Sequence, residues 1–268
     1  MEYVANTGIW QVILDILIFM FGAMVGSFLN VCIYRMPREE SIVKPRSHCT
    51  NCKKTVAWFD NVPLLSYLLL KGKCRNCKKP ISFQYFIVEL LTGAMFLWFY
   101  KSFDISILGL IYIIFACGLI ISTFVDFNFR IIPDEISLGG IVLGLVVSFI
   151  YPQLHDSTGH LVGLLRSFLG VIVGGGIIWL TGVVGDFIFK KETMGGGDVK
   201  LLGMIGAFLG WQAAIMTFFI APLFGAVVGI IIKIRTKNSL IAYGPYLALA
   251  SIVVLFWGKD ILRWIFLR

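Results

Sequence analysis

Eight apolar runs in one chain leave it no route to a soluble fold. They cover residues 10–34, 85–100, 105–125, 136–151, 161–189, 199–209, 213–232 and 243–257. Crossing the roughly 30 Å hydrocarbon core of a bilayer takes about 20 mostly apolar residues as helix, and several runs reach that length. With 58% hydrophobic and only 14% charged residues, the expectation is an all-α polytopic membrane protein with about eight transmembrane helices. The run at 199–209 is too short to span alone. Continuous rather than alternating hydrophobicity excludes a β-barrel. The first run follows Glu2 with no basic segment before it, and is read as a retained helix and not a signal peptide.

Lysine and arginine set the orientation, because they accumulate on the cytoplasmic side. Eleven of the 23 fall between Arg35 and Lys79, and counting alternate loops onward (Arg130; Lys190, Lys191 and Lys200; Lys233, Arg235 and Lys237) brings 18 to the same side. Those loops are assigned to the cytoplasm and both termini to the outside. The formal charge of +8 follows from this bias and calls for no nucleic-acid partner. Lys259, Arg263 and Arg268 depart from the pattern and are read as an interfacial tail.

Four of the six cysteines lie in the first cytoplasmic loop, as Cys49-x2-Cys52 and Cys74-x2-Cys77. Two such knuckles, each presenting two thiolates from one tight turn, make a zinc-ribbon-like site. Disulfides are disfavoured in a reducing cytoplasm. Four thiolates close the coordination shell, so the Zn2+ is expected to be structural. His48 is an alternative ligand beside Cys49. Cys32 and Cys117 lie in apolar runs and are read as packing residues, while His155 and His160, in an outer loop, suggest no site. The expected organisation is a first transmembrane helix (1–34), a four-cysteine cytoplasmic domain (35–84) and a multi-helix membrane domain (85–268).

Carboxylates at membrane depth are costly and therefore functional candidates. Asp15, Asp60 and Glu89 have bland positions at a helix end, in the loop and at a helix start, and Asp186 is expected to snorkel or to pair with Lys190. Asp126 and Asp198, which follows Gly195-Gly196-Gly197, both fall at the cytoplasmic boundary. Two carboxylates sharing one proton can activate water and polarise a carbonyl together. The competing readings are structural: Asp198 as N-cap of the helix from Val199, and Asp134 as an N-cap or as the first member of the pair in place of Asp126.

Five blocks resemble the type IV prepilin peptidases, GxGD-type aspartic peptidases. They are Gly26-Ser27-Phe28-Leu29-Asn30-Val31 with Tyr34-Arg35-x-Pro37; the paired cysteines with Asn61-x-Pro63-Leu64-x-Ser66-Tyr67 and Gly72-Lys73-Cys74; Asp126 with Ile132-Pro133-Asp134; Gly195 to Leu201; and Tyr243-Gly244-Pro245-Tyr246-Leu247-Ala248. The resemblance implies that Asp126 and Asp198 are the catalytic pair. It implies inner-membrane cleavage of the basic leader of prepilins and type II secretion pseudopilins after a glycine. It also implies N-methylation of the new terminus with S-adenosylmethionine, whose binding residues the sequence leaves unassigned. The outer stretch 151–160 is longer than the family pattern. The alternatives are a non-enzymatic transporter or a zinc-ribbon assembly factor, and a methyltransferase without peptidase activity; a transporter would place its charges near the midplane and show two similar halves.

Overall fold

The computed structural model describes residues 2–191, 193–236 and 242–266. Lys237 and Arg268 lie outside the described residues. All eight apolar runs are helical. In chain order the helices are α1 (Glu2–Arg35), a short α2 (Leu65–Leu69), α3 (Phe83–Phe103), α4 (Ile107–Phe129), α5 (Asp134–Ile150), α6 (His160–Phe189), α7 (Gly196–Leu209), α8 (Trp211–Thr236) and α9 (Gly244–Phe266). Six of them, α1, α3, α4, α6, α8 and α9, are long and apolar enough to cross a membrane. The expected eight spans become six by length, because α5 has 17 residues and α7 only 14. At 1.5 Å per residue, α7 covers only about 20 Å.

The chain divides into two compact units, Met1–Ile121 and Ser122–Arg268. In the first, α1 and α3 pack side by side. Gly22 and Gly26 let α1 approach so closely that a Cβ at Gly26 would lie 2.8 Å from the backbone of Glu89. Glu89 is buried, and its Oε2 accepts the Leu64 N–H at 2.8 Å. It is therefore a tie between the loop and α3 and does more than begin a helix. Asp15 pairs with Lys101 at 2.7 Å, tying the N-terminal half of α1 to the C-terminal end of α3.

In the second unit α7 is the central element. Every residue from Leu201 to Phe208 is buried, against α5, α6, α8 and α9. This accounts for a helix too short to span: a peptide segment is tolerated at membrane depth when protein surrounds it. The residues α6 turns inward are mostly small, Gly163, Ser167, Gly170 and Gly174, spaced at three and four along one face. Gly170 and Gly206 meet backbone to backbone, and Ser167 Oγ donates to the Ala207 carbonyl at 2.8 Å.

The end of this unit where α5 connects to α6 is closed by His155, from the turn Pro152–His155. It is buried, its Nε2 lies 2.9 Å from Ser148 Oγ on α5, and the Ala207 carbonyl of α7 acts on its ring. As an outer-loop histidine it is read above as no site. Burial holds the imidazole below its ordinary value and the Arg166 guanidinium acts in the same sense, while the Ala207 carbonyl and Asp156 oppose them. The fold thus prefers neutral His155. Its contribution is complete above the usual imidazole value of about 6.5 and is lost as the pH falls below it. Thermal unfolding in detergent is expected to show a lower Tm at pH 5 than at pH 7.5, with a smaller difference in His155→Gln. Lys259 reaches Asp156 at 3.2 Å, which puts the middle of α9 at this same end of the unit.

Candidate active site

Asp126 lies in the last turn of α4 and is buried. Asp198 lies in the first turn of α7. The competing N-cap role does not describe Asp198: the N-cap is Gly195, and Asp198 stands at the third helical position, its backbone N–H donating to the Gly195 carbonyl at 3.1 Å. Asp134 opens α5 and does not cap it; its Oδ1 is held by Lys200 Nζ at 2.6 Å, tying α5 to α7 two residues beyond Asp198.

Three segments converge here. Gly244 donates its N–H to Asp126 Oδ2 at 2.9 Å, across 118 positions of sequence. A Cβ at Gly244 would lie 2.8 Å from that oxygen, so only glycine lets the backbone come this near. Ile132 fills the remaining side: a Cβ at Gly197 would lie 3.1 Å from it, and one at Gly244 would lie 3.3 Å from it. The carboxylates of Asp126 and Asp198 are close enough to act on one another electrostatically, and Tyr243 faces Asp198 in the same way. The Tyr243 hydroxyl is buried without a hydrogen-bond partner among the described residues.

The approach of the glycine segment is held by Asp186. Its Oδ1 accepts from both the N–H and the Oγ1 of Thr193, at 2.7 and 2.8 Å. This corrects the expectation that Asp186 snorkels or pairs with Lys190. Sequence reasoning missed this clasp and the Gly244 donor. Gly244 stood out only as part of the Tyr243-Gly244-Pro245 block, with no role attached to its N–H.

The four cysteines gather in the first unit. The two knuckles are structural copies: Cys49 accepts from Lys53 N–H and donates to the Lys54 carbonyl, and Cys74 does the same with Lys78 and Lys79. Lys53 and Lys78 both take the left-handed conformation, φ 58°. All four Sγ atoms lie within 4.8 Å of one another, and Cys49 and Cys77 are 3.8 Å apart. Sulfurs about 2.3 Å from a tetrahedral zinc would stand roughly 3.8 Å apart, so the donor set fits that ion. His48 Nδ1 lies instead 3.1 Å from the Arg46 carbonyl.

Residues 113–230 match the type IV leader peptidase family, and residues 20–103 match the bacterial peptidase A24 N-terminal domain. The chain is 33% identical over 275 residues to the prepilin leader peptidase/N-methyltransferase of Aeromonas hydrophila, covering 92% of each protein. It belongs to the type IV leader peptidase family. The protein of the same name from Neisseria gonorrhoeae is 34% identical, covering 87% of each chain, and that of Myxococcus xanthus is 35% identical, over 89% of this chain and 69% of the relative. No solved structure matches. As a leader peptidase the chain is a multi-pass membrane enzyme, and its second family segment takes in both Asp126 and Asp198.

Proposed function

We propose that this enzyme removes the basic leader of prepilins and pseudopilins at the cytoplasmic face of the inner membrane, with Asp126 and Asp198 as the catalytic pair. What carries the reading is the meeting of two acidic side chains from α4 and α7 at one end of the second unit, inside a chain of this family. One ionised carboxylate takes a proton from water as the oxygen attacks the peptide carbonyl. The protonated partner donates to the carbonyl oxygen, giving a neutral tetrahedral intermediate. Collapse breaks the C–N bond, and the leaving amine takes up a proton from the pair. The Gly195-Gly196-Gly197 segment, lacking side chains, lets an extended substrate backbone come near Asp198. Gly244 holds Asp126 in place through its N–H.

The same protein would methylate the new N-terminal amine, as the relatives' name states for them, with S-adenosylmethionine as the methyl donor. Cys49, Cys52, Cys74 and Cys77 would hold a zinc ion that staples the cytoplasmic loop. On the lysine and arginine distribution, both termini would lie outside and the carboxylates at the cytoplasmic boundary.

The test is incubation of membranes with a prepilin, followed by mass spectrometry. Loss of the leader mass and addition of one methyl group are expected; an unchanged substrate contradicts the reading. Purified protein is expected to contain about one equivalent of zinc, by elemental analysis. After removal of the metal by a chelator, leader cleavage is expected to persist while the loop loses its resistance to protease, because the carboxylate pair lies in a separate compact unit.

A further inference from the structure

The four-cysteine loop is built inside out for a soluble domain. Between residues 58 and 69 the large apolar side chains Trp58, Phe59, Leu65, Leu68 and Leu69 are exposed, Trp58 by 77% and Leu69 by 80%, while the polar Ser66 is buried. Ser66 locks the arrangement: its hydroxyl donates to the Phe59 carbonyl and accepts the Val62 N–H, both at 3.1 Å. The turn carrying Trp58 and Phe59 is therefore fixed to α2, and the five side chains belong to one braced element. The same inversion appears on the helices that cross the membrane, where exposed residues such as Trp10 and Leu17 meet lipid.

Two further observations say what covers this face. α2 is seated on the cytoplasmic end of α3: Tyr67 packs on Phe83 and Phe86, its hydroxyl reaches the Ile81 carbonyl at 3.3 Å, and Leu64 is tied to Glu89. Its leucines thus stand beside the point where α3 enters the bilayer. The loop is also strongly basic, with ten lysines and arginines against three carboxylates in residues 36–82. A rigid apolar face with a cationic surround suits an anionic lipid surface, whose headgroups attract lysine and arginine.

We infer that Trp58, Phe59, Leu65, Leu68 and Leu69 lie in the headgroup region of the cytoplasmic leaflet and anchor the four-cysteine loop to anionic lipid. This rests on the cytoplasmic placement of the loop proposed above, and on nothing about the carboxylate pair.

The full chain, reconstituted in nanodiscs of phosphatidylglycerol and phosphatidylcholine, gives the test. The emission of Trp58, taken as the difference between the natural protein and Trp58→Phe, should be quenched by lipids brominated near the headgroup and protected from aqueous acrylamide. Quenching should weaken in discs of phosphatidylcholine alone. In Leu68→Glu with Leu69→Glu it should be lost at unchanged zinc content. Trp58 emission that ignores brominated lipid and is quenched by acrylamide overturns the inference. So does emission shielded only when a prepilin is added, which would make the face a substrate surface. Cleavage measured in the same discs reports separately on the proposed function.

Discussion

Asp126→Asn and Asp198→Asn are each expected to lower leader cleavage by on the order of 10³-fold or more, and the double variant is expected to be no worse than either single one. Asparagine preserves the size of the side chain but cannot take a proton from water or release one to the leaving amine. Groups that act as a unit lose nearly everything with the first removal, so non-additivity is the signature of a shared site. Rates are compared at equal amounts of folded protein, judged by an unchanged Tm in detergent. Asp134→Asn should cost far less, because it loosens an exposed tie to Lys200 without touching the proton of the pair.

Gly170→Leu is expected to disrupt the second unit. A Cβ at Gly170 would fall on the backbone of Gly206, and the converse is also true, so neither helix can yield by turning a side chain. Overpacking of a well-filled contact costs about 1–3 kcal/mol. Here the displaced element is α7, which carries Asp198, so cleavage should fall with stability. Gly176→Ala is the control: nothing lies within 4 Å of the added carbon, and alanine in a helix is favoured over glycine by about 1 kcal/mol. Thermal unfolding in detergent should show a lowered Tm for Gly170→Leu and an unchanged or raised one for Gly176→Ala.

The features legible in the sequence were local or chemically conspicuous. Each apolar run became a helix because backbone groups in lipid have no other partner. The cysteine knuckles were legible because a two-residue spacing defines one tight turn whatever the rest of the chain does. Asp126 and Asp198 drew attention as carboxylates at the edge of apolar runs, but their choice over Asp134 needed the family resemblance. In the structure Asp134 is held by Lys200, a contact between helices whose partners lie 66 positions apart.

What stayed illegible depended on long-range packing. The Gly244 donor is a backbone group, and no side-chain pattern announces it. Helix α7 read as a doubtful span because hydropathy cannot distinguish lipid from surrounding protein. Asp186 had a nearby lysine four positions on, so the local pairing looked sufficient; Thr193, seven positions on, became its partner once the chain folded back. His155 read as an ordinary loop residue, since only tertiary contact reveals the Ser148 hydroxyl and Ala207 carbonyl that receive it.

The proximity of the two acidic positions can be measured chemically. In the full chain carrying Asp126→Cys and Asp198→Cys, a short bifunctional methanethiosulfonate reagent followed by peptide mass spectrometry should yield a linked pair joining the end of α4 to the start of α7. If both thiols react singly with a monofunctional reagent in folded protein, yet no linker joins them, the shared centre described here is contradicted.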